Sequence, residues 1–274
     1  MGWITLVAAV APVAFMLHFV FVRDKYEREP LGRVLMVYFL SFFAVIPAAI
    51  VEMRFLRAEP FGLLGIALST FFIIGFSEEG SKYLALRLLV LEQKFFNEVY
   101  DGILYAVAAS LGFATVENVM YVAFSGSASL GVALLRAILS VPGHALWGVM
   151  MGYYAGVARF HPDRRRAREL VWKGLLLAIF WHGLYDFFAF GSEVVSPGLS
   201  TLFVIGVFAV IAVNWIIGVR LIHLAQQQSI FKRPTPMTNP IASFNPRWRF
   251  CHQCGKAQAS SSTQCPYCGY LFPS

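Results

Sequence analysis

Eight residues of this sequence carry chemistry in places that disfavour it. Glu78, Glu79 and Lys82 fall in Gly-Phe-Ser-Glu-Glu-Gly-Ser-Lys. Glu117 and Asn118 end Phe-Ala-Thr-Val-Glu-Asn, His144 opens His-Ala-Leu-Trp-Gly, and His182 and Asp186 bracket His-Gly-Leu-Tyr-Asp. Each group is embedded in a long apolar run. A charged side chain at the centre of a bilayer costs about 2.5–3.5 kcal/mol even on lenient insertion scales, so such groups mark a partner or a function. Glu78 and Lys82 are four residues apart and can pair along a helix. A lysine so placed keeps its partner ionised, while the other glutamate faces elsewhere. His182 and Asp186 share that spacing, so Asp186 can orient the imidazole or join it at a metal.

Four elements must position these groups. Glu79, Glu117, His144 and His182 each lie within about four residues, or roughly 6 Å of helical rise, of the middle of their own apolar run. A single buried pair could merely neutralise itself and pack; four runs meeting at one depth point to a reaction centre. His144 also begins a stripe with Gly148, Gly152 and Gly156, and small residues at such steps let helices approach closely. Arg136, near the end of its run, is expected to snorkel to the membrane surface.

The chain of 274 residues is 58% hydrophobic and only 14% charged, against roughly 45–50% and 25% in soluble domains. The excess is gathered into blocks long enough to cross a hydrocarbon core, which takes about 20 residues of helix. Seven spans are expected: Trp3–Val22, Val34–Val51, Phe61–Val90, Tyr100–Phe124, Val132–Ala158, Leu170–Phe190 and Leu199–Ile222. The runs are continuous and do not alternate, so the fold class is an all-α polytopic membrane protein. The third span is long enough to tilt strongly or to break. The first lacks a basic leader, and Arg23 and Lys25 follow it, so it reads as a span and not as a cleaved signal.

The net charge of +7 reports topology. Of 22 Lys and Arg, eighteen fall on one side of a seven-span arrangement, Arg54, Arg57 and Arg136 on the other, and Lys82 inside a span. Positive charge stays cytoplasmic. The N-terminus is therefore expected outside and the C-terminus inside, in a bacterial inner membrane. No nucleic-acid partner is expected; the partners are the lipid bilayer and a membrane-protein substrate.

Residues 1–222 form the expected membrane domain. Residues 223–249, with three successive glutamines and four prolines, read as a flexible linker. Residues 250–274 hold all four cysteines, as Cys251-His-Gln-Cys254-Gly and Cys265-Pro-Tyr-Cys268-Gly. Two such knuckles can place four thiolates around one Zn²⁺. That closed shell leaves no position for water, so the site is structural, a zinc ribbon.

Together the motifs resemble the PrsW family of intramembrane proteases, itself similar to the CAAX prenyl endopeptidase and bacteriocin-processing group. The resemblance rests on Glu78-Glu79-x-x-Lys82, Phe113-x-x-x-Glu117-Asn118, His144-x-x-x-Gly148 and His182-x-x-x-Asp186. Phe96-Asn97-Glu98-x-x-Asp101-Gly102 matches it as well. It covers roughly residues 1–222 and implies hydrolysis of a peptide bond within or beside the membrane. Some members of the family cleave anti-sigma factors in regulated proteolysis. On this reading Glu78 or Glu79 is the general base. Glu117, His144 and His182 are candidate ligands of a second, catalytic Zn²⁺, and Asp186 is a ligand or an orienting partner. Asn118 is a candidate to polarise the substrate carbonyl. A metal-free mechanism, in which glutamate activates water and the histidines bind the oxyanion, uses the same residues. Two other classes fit buried Glu and His: a proton- or ion-coupled transporter, and a non-catalytic sensor signalling through the ribbon. A relay should string polar groups through the membrane's depth, and here they cluster at one level.

Overall fold

The computed structural model describes residues 2–56, 62–232, 248–251, 253–259 and 261–272. Most of the expected linker (233–247), together with Arg57 and Phe61, lies outside the described residues. Among the described residues, seven helices are long and apolar enough to cross a membrane: α1 (Trp3–Phe21), α2 (Leu31–Phe55), α3 (Gly62–Leu91), α4 (Val99–Phe124), α5 (Gly126–Arg159), α6 (Arg164–Val194) and α7 (Pro197–Gln227). Each overlaps one expected span. Several extend beyond it, because capping residues and not hydropathy set the ends. Pro30 precedes α2, Pro197 begins α7, and the Asp163 carboxylate accepts from the backbone N–H groups of Arg165 and Arg166 at the start of α6. A capping box between Glu98 and Asp101 begins α4.

The core is built on α4, which is buried along most of its length and packs chiefly against α5. The glycine stripe explains the closeness of the pair. A Cβ on Gly152 would fall 2.2 Å from the carbonyl oxygen of Gly102, and one on Gly156 would fall 2.4 Å from that of Val99. Neither neighbour can move without shifting backbone. Gly152→Ala is therefore expected to lower the unfolding free energy by about 1–3 kcal/mol through overpacking. Gly131→Ala on the same helix, where a Cβ meets nothing within 4 Å, should be neutral. Thermal unfolding in detergent compares them, and equal midpoints would contradict the close helix pair.

α3 neither breaks nor runs regular. It contains two widened π turns, Ser69–Ile74 and Arg87–Leu91, around a regular segment Gly75–Leu86. Such turns re-aim side chains within a helix. The first lies against α6, where a Cβ on Gly183 would meet the Phe71 backbone at 3.0 Å. α5 is interrupted at Leu139, between the segments Ser129–Ile138 and Ser140–Arg159. Large apolar side chains such as Trp3, Phe72, Phe124 and Ile216 face outward, as a surface solvated by lipid requires and one solvated by water disfavours. At one end of the bundle, burial pushes the carboxyl of Asp24 up to about 6 and that of Glu98 to about 7.

The tail forms a two-stranded antiparallel hairpin, β1 (Trp248–Phe250) and β2 (Ala257–Ala259). The two cysteine knuckles repeat one backbone pattern. Gly255 N–H donates to Cys251 O and Gly269 N–H to Cys265 O, with both glycines at positive φ, 68° and 76°. Only glycine adopts that conformation readily.

Candidate active site

Lys82 organises the charged cluster. Its ammonium lies 3.0 Å from Glu78 Oε2, 2.8 Å from Glu79 Oε1 and 2.9 Å from His144 Nδ1, over the ring of Phe113. An ammonium has donors only, so His144 Nδ1 accepts and Nε2 carries the proton. Nε2 then faces Glu117 Oε2 at 2.9 Å. His182 lies between carboxylates: Nδ1 is 2.9 Å from Glu79 Oε1, and Nε2 is 3.3 Å from Asp186 Oδ2 and 3.8 Å from Glu78 Oε2. The Trp147 ring stacks on His182 at 4.1 Å and fixes its plane.

These groups border a cavity of about 540 Å³. Glu78, Glu117, His144, His182 and Asp186 line it, brought there by α3, α4, α5 and α6. Glu79, Lys82 and Asn118 do not. The two adjacent glutamates thus occupy different positions: Glu78 borders the chamber, whereas Glu79 is fully buried behind it, shared between Lys82 and His182. Asn118 is also committed elsewhere, donating to Ala9 O at 2.6 Å and accepting from Arg136 Nε at 2.6 Å.

Arg136 departs from the expectation that it snorkels. Its side chain is only 14% exposed and turns inward to Glu117 Oε1 at 3.1 Å, because the interruption at Leu139 reorients its helical segment and Asn118 anchors it. A second cavity residue was not expected from the sequence. Glu52 follows the apolar run ending at Val51, but α2 continues to Phe55, and Ser77 Oγ donates to Glu52 Oε1 at 3.0 Å. Neither residue sits in a recognisable motif. The only sequence signal was a charge within a few residues of an apolar run.

The donors suit a metal. Glu52, Glu78, Glu117 and Asp186 line the chamber, with the exposed Glu193 also on its lining and Glu79 buried behind it, against two fixed cations, Arg136 on the wall and Lys82 behind it. Uncompensated buried charge is costly, so protons or a divalent cation must meet the excess. The donor triad Glu78, Glu79 and His144, with ligand atoms within 4.8 Å of one another, is already closed around the Lys82 ammonium. The chamber-facing donors Glu117, His144, His182 and Asp186 are imidazoles and carboxylates, the mixture that catalytic zinc takes; among the described residues they are not a set whose ligand atoms all lie within 4.8 Å of one another, so a metal would draw them closer and displace the proton on His144 Nε2. In the tail, the sulfurs of Cys251, Cys254, Cys265 and Cys268 lie within 4.8 Å of one another and could hold a metal ion.

A chamber of about 540 Å³ lined by acid–base groups inside a bundle of apolar helices is suited to hydrolysis within a membrane. The family model described as "PrsW family intramembrane metalloprotease" matches residues 29–215. Similar proteins, each named Protease PrsW, come from Geobacillus kaustophilus (36% identical, covering 68% of this chain and 80% of the relative), Bacillus subtilis (37%, 66% and 80%) and Clostridioides difficile (32%, 65% and 76%). The chain belongs to the PrsW family of intramembrane proteases, and it is a multi-pass membrane peptidase. No solved structure matches it.

Proposed function

We propose that the chain is an endopeptidase that hydrolyses a peptide bond of a membrane-associated protein in the chamber bordered by Glu78. The observation that carries this reading is the convergence of Glu78, Glu117, His144, His182 and Asp186, from four helices, on one cavity. Glu78 accepts a proton from a water molecule as the water oxygen attacks the substrate carbonyl carbon. The carbonyl electron pair moves onto oxygen, where the Arg136 guanidinium at the chamber wall donates to it. As the C–N bond breaks, Glu78 passes its proton to the leaving amine. Glu79, through Lys82 and His182, holds the reacting groups in place. A Zn²⁺ held by His144, His182 and Glu117, with Asp186 as ligand or orienting partner, would supply carbonyl polarisation and a more acidic water.

In this reading the protease domain ends with α7 at Gln227, five residues beyond the expected boundary at 222 because Gln226 bonds Arg23 O and holds the last turn to the bundle; the residues from there to 249 are a tether, and 250–274 a ribbon closed by one structural Zn²⁺. The N-terminus lies outside and the ribbon inside a bacterial inner membrane, the orientation favoured by the basic residues. Regulated proteolysis of the anti-sigma-factor kind is the setting that the family implies.

Elemental analysis tests the two metals. The purified chain should hold about two zinc ions, one for each set of ligands. A Cys251→Ser, Cys254→Ser variant should lose one and stay active. A His144→Ala, His182→Ala variant should lose the other together with all cleavage. An active cysteine variant free of metal would refute the zinc role and leave the glutamate–water chemistry standing.

A further inference from the structure

The motif Asn97-Glu98-x-x-Asp101 has no task in the mechanism above. Asp101 lies sixteen residues before Glu117 on α4, about 24 Å away along the helix. Around it the turn between α1 and α2 folds back against the start of α4. Ligand oxygens of Glu27, Glu29 and Asp101 lie within 4.8 Å of one another. Asp24, fully buried, accepts from the Glu29 N–H through Oδ2 at 3.0 Å. Asn97 hydrogen-bonds Glu27 through its side chain.

A second observation concerns the atoms left over. Asp101 Oδ2 accepts from the backbone N–H groups of Asn97 and Glu98 at 2.7 and 2.9 Å, while Oδ1 of this fully buried residue has no partner. Asp24 Oδ1, Glu27 Oε2 and Asn97 Oδ1 are likewise buried without a hydrogen bond. All four are acceptors. Leaving such atoms bare costs about 1–3 kcal/mol each, so something electropositive should meet them. The protein supplies little. Arg33 reaches Glu29 at 3.3 Å from a half-exposed position, and Tyr105 donates to the same carboxylate at 2.6 Å. Arg23 is turned away, bonded to Phe19 O and lying over the Phe19 ring, and Arg28 is exposed and acts on Asp24 only through its charge.

We propose that Glu27, Glu29 and Asp101, with Asp24 and Asn97, bind one hard divalent cation of the Mg²⁺, Ca²⁺ or Mn²⁺ class and so clamp the α1–α2 turn to the start of α4. The donors are carboxylate and amide oxygens, with no sulfur or imidazole among them, which selects hard cations over zinc. One cation can take several unpartnered oxygens at once and offset the anionic excess.

The test is a titration of the zinc-replete, full-length protein in detergent with Mn²⁺, followed by the loss of the free-ion electron paramagnetic resonance signal. The wild type should bind one Mn²⁺, displaced by excess Ca²⁺ or Mg²⁺, and its thermal midpoint should rise on binding. Glu27→Gln and Asp24→Asn, made separately, should each weaken binding by at least about tenfold, as loss of a ligand or its support does. A Glu78→Gln, Glu79→Gln double variant should bind as the wild type does, which separates this site from the chamber. A wild type that binds no Mn²⁺ would overturn the proposal in favour of neutralisation by protons. Binding unaffected by both Glu27→Gln and Asp24→Asn would overturn it equally.

Discussion

Lys82→Met is expected to abolish cleavage and to lower the unfolding free energy of the membrane domain by about 3–5 kcal/mol, the cost of stranding a buried charge. The ammonium is 1% exposed and satisfies Glu78, Glu79 and His144 together. Removing it leaves two adjacent carboxylates facing each other in an apolar bundle. Adding Glu78→Gln and Glu79→Gln to Lys82→Met should recover much of the lost stability without recovering activity, because the charges then leave together. Unfolding of the three proteins in mixed micelles reads the difference. A single variant as stable as wild type would show that Lys82 does not hold the cluster.

The second large effect separates the neighbouring glutamates. Glu78→Gln should slow cleavage by about 10²–10⁴-fold, the contribution of a general base, with little change in thermal stability, since Glu78 borders the chamber and its amide can still accept from Lys82. Glu79→Gln removes the anion between Lys82 and His182, so it should lower both stability and rate. Cleavage of a reconstituted membrane substrate, measured beside the unfolding midpoint, distinguishes the two. Equal stability losses would contradict the assignment of Glu79 as the anchor and Glu78 as the base.

Much of this was legible in the sequence because hydropathy and charge are strong local signals. Seven spans follow from composition, and four of them carry ionisable groups at mid-depth, which a bilayer tolerates only if they meet. The unequal burial of Glu78 and Glu79 was not legible. Adjacent residues on a helix diverge by about 100°, and which one borders the chamber depends on the neighbours and on the widened turn at Ser69–Ile74. Arg136 was misread because its inward path depends on the interruption at Leu139, which Pro142 marks by lacking the N–H that would bond Ile138 O, and on Asn118, whose pairing with Arg136 no local pattern shows. Glu52 was missed because hydropathy ended the second span at Val51, whereas the helix runs on to Phe55.

The internal lysine of α3 has a consequence for biosynthesis. His144 lies 62 residues after Lys82, and His182 lies 103 residues after Glu79. At about 5–20 residues per second, Lys82 is made roughly 3–12 s before His144, and Glu79 roughly 5–20 s before His182. Throughout that interval Glu78 and Glu79 have no partner from a later helix. Lys82, three and four residues away on the same helix, is present from the moment the turn forms. The nascent segment therefore carries its own counter-ion into the lipid, and the histidines join an ion cluster that is already paired. A chain with its lysine on a later helix would expose two unneutralised carboxylates to the insertion machinery, and to the cell's quality-control proteases, for that whole time.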